Sequence, residues 1–167
     1  VFFIVPDVWL SRIALTNPRR ALAATLPTLA GALAGGAVMY RWGARTEPSA
    51  SAAELARIPA ISPAMVARVE DDLAARGNLA LVLGPTKGIP YKVYARTAGQ
   101  TNRPLPEFLL WSVPARMIRF VLVTGGSGMV ARAVRRRFPH ITDPQGYAIH
   151  AAAWTAFYTW FFTSVGK

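Results

Sequence analysis

Between Arg20 and Arg41 the chain runs for twenty residues, "ALAATLPTLAGALAGGAVMY" (Ala21 to Tyr40), without a charge. A helix of that length rises about 1.5 Å per residue and crosses roughly 30 Å, the thickness of a bilayer's hydrocarbon core. Pro18 suits the first turn of such a helix. Pro27, inside the run, would kink a soluble helix but is tolerated in a span. Gly31 and Gly35 form a G-x-x-x-G spacing with Gly36 beside them. They read either as a close helix contact or as small-residue filler in an alanine-rich span.

The composition leans the same way, with 53% hydrophobic and 16% charged residues against a usual quarter charged. A net charge of +11, from 19 Lys and Arg against 8 Asp and Glu, raises nucleic acid and anionic lipid as partners. The arginines flank apolar runs and no nucleic-acid motif accompanies them, so a bilayer partner is expected and nucleic acid is not. With no cysteine, disulfides, thiolate catalysis and cysteine zinc sites are excluded. At 167 residues the length fits one domain, here a single membrane domain over residues 1–167.

Two further apolar runs follow. Phe108 to Ala131 is interrupted by Arg116 and Arg119, three residues apart and so on one helical face. Gln145 to Gly166 has no charge and ends in "FYTWFF"; with Trp154 and Trp160 these aromatics suggest an interfacial belt. A soluble core helix is the plainer alternative for this last run. Transmembrane helices are therefore expected over residues 18–42, 106–131 and 144–166. Residues 44–77 form a polar connector. In it, Ser51 and Glu54 fit a capping box for a short helix stopped by Pro59. Ser62 and Pro63 then open an amphipathic helix with Val66, Val69 and Leu73 on one face, closed by Gly77. Its Glu70, Asp71 and Asp72 read as a solvated face. Residues 41–77 carry no net charge, whereas Arg132, Arg135, Arg136 and Arg137 meet no acid before Asp143. By the positive-inside rule the arginine cluster 132–137 is cytoplasmic.

Two shorter apolar segments do not span. Residues 1–15 break at Pro6 and Asp7; residues 79–100 break between Gly84 and Pro90 and return through Tyr91, Lys92 and Gly99. Each precedes a long apolar helix. A broken segment followed by a span, occurring twice, is the pattern of an inverted repeat of re-entrant hairpin plus transmembrane helix. The fold class expected is thus an all-α polytopic membrane protein with that repeat and a further C-terminal transmembrane helix. Irregular backbone at membrane depth survives only inside protein or along a watery cavity, so the breaks point at a site. Asp7 stands in an apolar stretch, where lost hydration disfavours its ionised form unless a cation is close. Lys92, Arg116 and Arg119 are such cations, each costing roughly 2.5–3.5 kcal/mol at a span's centre unless partnered. One acid and three cations suit an anionic head group, with the acid exchanging a proton. The alternative is a structural salt bridge of Asp7 with Arg116 or Arg119.

The stretch "RFVLVTGGSGMVARAV" (119–134) also fits a dinucleotide turn through Thr124, Gly125, Gly128 and Ala131. Such a fold needs further βα units, yet only one uncharged helix follows, so the glycines read better as the small-residue part of a membrane helix, for close packing or a local break. His140 beside Pro139 reads as a loop residue and His150 as a helix-interior one. No catalytic or metal constellation emerges, and neither an enzyme nor a cofactor is expected.

These motifs resemble the DedA-like membrane family with the VTT (SNARE-associated Golgi protein) domain, in its YqaA-type branch. The resemblance lies in "VPDVWL", "ALTNPRRALAATLPTLAGALAGGAVMYRWG", "GIPYKVYARTAG" and "FLLWSVPARMIRF" in that order. Thr86, Lys87 and Gly88 lengthen the approach to the I-P-Y-K-V turn, Pro114 replaces a small residue, and the chain after Arg132 matches only as an apolar helix. The resemblance implies an integral protein of the bacterial inner membrane with two re-entrant hairpins facing each other and a lipid transporter or flippase activity. Its lipid would be a polyprenyl phosphate or phospholipid with an anionic head group, with proton coupling. By position, Asp7 is the acid of the first hairpin, Lys92 the cation of the second, and Arg116 and Arg119 the cationic lining. Pro6, Gly84, Pro90, Tyr91 and Gly99 shape the loops. The partners expected are bilayer lipid and, left open, a second copy of the chain.

Overall fold

The computed structural model describes residues 6–58, 61–84 and 88–164, and among them every regular element is a helix. In chain order these are α1 (Pro6–Ala14), α2 (Pro18–Arg45), α3 (Pro48–Ala56), α4 (Pro63–Arg76), α5 (Leu79–Leu83), α6 (Tyr91–Gln100), α7 (Leu105–Arg137) and α8 (Asp143–Ser164). Two of them, α2 with 28 residues and α7 with 33, are long and apolar enough to cross a membrane. Only 11% and 28% of their most apolar windows is buried within the chain, unlike the core helix of a soluble protein. Leu22, Leu26, Val38, Leu110, Ile118 and Leu122 stand exposed on them, a surface that lipid accommodates and water does not. The third expected span, α8, has the length, 22 residues, but is not among the helices that pass this test. Its His150, Tyr147, Tyr158 and threonines keep its long windows below the hydropathy that stretches of α2 and α7 reach.

Two compact units divide the chain: unit 1 takes residues 1–29 and 117–161, and unit 2 residues 30–116 and 162–167. In unit 1, α1 starts with Pro6 in its first turn, where a missing N–H costs nothing. Asn17 caps α2 by accepting from the Arg20 amide at 2.9 Å, ahead of Pro18. Pro27 removes one helical hydrogen bond, and nearby hydroxyls cover neighbouring carbonyls: Thr25 donates to Leu22 O at 2.6 Å and Thr28 to Ala24 O at 2.7 Å. Residues 119–134 lie wholly inside α7, with no strand before the glycines and no break at them. Gly125 and Gly126 have open space around them. Gly128 alone packs closely, where an added Cβ would meet Pro18 at 3.3 Å.

Unit 2 has its core in the amphipathic face of α4 as expected: Val66, Val69 and Leu73 are buried against Leu55, Val93 and Phe108. Ser62 caps α4 by accepting from the Met65 amide at 3.2 Å, and Gly77 ends it at φ +57°. The Ser51–Glu54 capping box is not formed. Glu47 caps α3 instead, accepting from the Ala50 amide at 2.8 Å, because Pro48 sets the first turn three residues earlier. Ser51 is thereby inside the helix and fully buried. The helix ends at Ala56, and Pro59 lies outside the described residues. Gly31 and Gly35 meet nothing within 4 Å, so the G-x-x-x-G spacing makes no close contact here. The close approach falls one step along the helix, where a Cβ at Gly36 would strike the Tyr91 ring, one at Gly43 the Arg96 backbone, and one at Gly99 the Tyr40 backbone. These contacts seat α6 against the second half of α2. The chain breaks between α5 and α6 as expected, although Thr86 and Lys87 lie outside the described residues.

Candidate functional site

Asp7 occupies the first turn of α1, where its charge complements the helix dipole, and it is only 1% exposed. Burying a carboxylate costs several kcal/mol unless it is paired and hydrogen-bonded. Arg119, on the unit 1 part of α7, supplies the pair: its Nε donates to Asp7 Oδ2 at 2.8 Å and its Nη2 to the same oxygen at 2.5 Å. The other oxygen, Oδ1, is buried with no hydrogen-bond partner among the described residues. Arg119 itself keeps 38% of its side chain exposed, so one end of the pair is sealed and the other reaches the surface. Pro6, singled out as a shaper of this break, is the residue that starts α1.

In unit 2 the break delivers Tyr91 as the first residue of α6, directly after Pro90, whose extended backbone (φ −63°, ψ 133°) sets the entry. The Tyr91 ring stacks on Phe108 at 5.9 Å between centroids, and its hydroxyl donates to Ser112 Oγ at 2.8 Å. The Arg116 guanidinium lies 4.9 Å from the centre of the same ring, a cation–π distance. Arg116 lies over the Tyr91 ring, and Arg119 pairs with Asp7. Lys92 is partly buried, and that burial pulls its ammonium pKa below the usual value. Gly84 leaves room for the Tyr94 ring and Gly99 for the α2 backbone, so both shape the segment by what packs against them. Burial, followed by the Asp72 charge, pushes the Tyr94 phenol up to about 12.

Two groups of polar residues were not singled out from the sequence. Arg96, fully buried, donates from Nε to Ser51 Oγ at 2.9 Å, from Nη2 to Pro48 O at 2.6 Å and from Nη1 to Glu70 Oε1 at 2.8 Å. Glu70 is therefore the counter-ion of a buried arginine as well as part of a solvated face, its side chain remaining 47% exposed. The signal was present in a basic residue at the centre of the short segment "YKVYARTAG", between buried Ala95 and Thr97. In unit 1, Ser11 and His150 form the second group, with Oγ and Nε2 2.8 Å apart. His150 is in the helix interior and His140 in a turn, as expected.

No family model, curated protein or solved structure matches this chain.

Proposed function

We propose that the protein is an integral membrane transporter of an anionic lipid head group, of the polyprenyl-phosphate or phospholipid class, in which Asp7 exchanges a proton. The observation that carries this reading is the Asp7–Arg119 pair, a sealed carboxylate whose buried Oδ1 has no partner among the described residues, held by a half-exposed arginine on a membrane-length helix. A phosphate competes for such an arginine through charge-assisted bonds, and protonating the acid releases it. Lys92 and Arg116, in unit 2, are further cations of a kind that suits an anionic head group. Support for a repeat comes from order along the chain: the short helix α1 precedes the long α2, and α5 and α6 precede the long α7. In this reading these short elements are the re-entrant hairpins of a DedA-like, VTT-domain protein, α8 is the third span, and the arginines at 132–137 are cytoplasmic.

Retention of lipid through purification tests the head-group assignment. Native mass spectrometry of the protein from mixed liposomes should show polyprenyl phosphate retained over phosphatidylcholine. Lys92→Ala and Arg119→Gln should each reduce that retention on the order of tenfold, the worth of one charge-assisted hydrogen bond. Equal retention of both lipids by wild type sinks the reading. The ion pair also favours a second reading, a membrane assembly protein whose Asp7–Arg119 bridge only joins helices. There, Asp7→Asn lowers thermal stability in detergent and wild type shows no preference for the anionic lipid.

A further inference from the structure

Three helices of unit 1 meet where Gly128 of α7 packs on the end of α1 and the start of α2: a Cβ on Gly128 would lie 3.3 Å from Pro18 and 3.7 Å from the Ala14 carbonyl oxygen. The start of α8 joins them, since Arg135 Nη2 donates to Leu15 O at 3.3 Å and pairs with Asp143 Oδ1 at 2.6 Å. This junction collects the charge of the unit. Arg12 stands in the last turn of α1, Arg19 and Arg20 follow Pro18, and Arg132, Arg136 and Arg137 occupy the final turns of α7 beyond Gly128. All six are exposed and none meets a carboxylate among the described residues. The acids described in unit 1 are Asp143, held by Arg135, and Asp7, held by Arg119 at the start of α1. Arginines gathered without counter-ions repel one another, a cost that a bound anion offsets.

Aromatic rings are set among these cations. The Arg12 guanidinium lies 5.4 Å from the centre of the Trp9 ring on α1 and 5.0 Å from that of Tyr147 on α8, and the Arg137 guanidinium 5.5 Å from that of Phe138. Such contacts use the face of the guanidinium and leave the N–H groups at its edge to donate. Trp9 is 58% exposed and Phe138 44%, beside the start of α2 and the end of α7, both helices of membrane length. Water hydrates the cations but not the rings, whereas the boundary between head groups and acyl chains accommodates both. Arginines that only set orientation need charge alone; Arg12, clasped by rings from two helices, is a placed group. We infer that this end of unit 1 is a binding surface for the anionic head groups of phospholipids in the adjoining leaflet, with Arg12 as the fixed donor and Arg132, Arg136 and Arg137 as further cations. A phosphate takes paired hydrogen bonds from an arginine's planar fork, and the exposed rings reach the upper acyl chains. The inference goes beyond the transport reading and does not rest on it, since the junction lies about two turns along α1 from Asp7.

Full-length protein in nanodiscs of equal parts phosphatidylglycerol and phosphatidylcholine is analysed by native mass spectrometry, which counts the lipids it retains. Wild type should retain phosphatidylglycerol over phosphatidylcholine on the order of tenfold. Arg132→Gln, Arg136→Gln and Arg137→Gln together should cut that preference at least about fivefold, the worth of one arginine near an anionic surface. Arg132→Lys, Arg136→Lys and Arg137→Lys together keep the charge and should keep the preference, whereas Arg12→Lys gives up the stacked planar fork and should weaken it. Nanodiscs offer both leaflets, so a change of orientation in the membrane does not alter the count. Arg119→Gln, on which the transport reading depends, should leave most of this preference in place, so that either reading fails alone. Equal retention of the two lipids by wild type, or an undiminished preference in the triple Gln variant, overturns the inference. So does release of phosphatidylglycerol by a short single-stranded RNA or by inorganic phosphate at an ionic strength where chloride leaves it bound, which would assign the surface to a soluble anion.

Discussion

Arg96 holds three elements of unit 2 together, because its fully buried guanidinium ties α6 to both α3 and α4. Arg96→Met keeps the volume and removes the bonds. It should cost about 1.5–3 kcal/mol, read as a lower unfolding temperature in detergent, since hydrogen bonds to charged groups are worth that much. Glu70→Gln should cost less than Arg96→Met, because Glu70 is half in solvent and the Ser51 and Pro48 acceptors remain. At this scale the sequence was informative where burial of charge was forced: Asp7 in an apolar stretch needed a cation, and Arg119 is that cation. It was silent on the partners of Arg96 and of His150, which come from helices 26 to 48 and 139 residues away and leave no spacing to read. Glu47 shows the same limit locally. It caps α3 in place of Ser51, and its hydrogen bonds from Ser49 and Ala50 hold its carboxyl below the usual range. Its contribution to α3 is therefore complete above the ordinary carboxylate range and is lost as pH falls through the depressed value. Glu47→Gln should remove that acid dependence from the unfolding curve.

Elements were the most legible level. A run of twenty uncharged residues, a Ser-Pro start and a terminal glycine name helices by physics that acts within a few residues. Helix contacts were not legible, because which glycine faces a neighbour depends on rotation about the helix axis. Gly31 and Gly35 have the familiar spacing yet face open space, whereas Gly36, Gly43 and Gly99 carry the approach of α6 to α2. Alanine substitution separates the two sets. Gly43→Ala and Gly99→Ala force a methyl into backbone and should each cost about 1–3 kcal/mol of thermal stability. Gly31→Ala should be neutral or stabilising, by up to about 1 kcal/mol, since alanine favours the helix and nothing is displaced.

For the molecule as a whole, two helices of spanning length and a cysteine-free sequence make orientation directly measurable. Single cysteines placed at Arg136 and at Ala53 should label from opposite sides of a sealed membrane if the positive-inside reading holds, and labelling of both from one side would reverse it. The transport account makes one demand above all others. Wild-type protein reconstituted in sealed liposomes is followed for movement of labelled polyprenyl phosphate between leaflets, beside Asp7→Asn and Lys92→Ala. The account predicts rapid movement by wild type and loss of at least about tenfold in both variants, the rate equivalent of 1.4 kcal/mol. Movement by both variants as fast as wild type would contradict it.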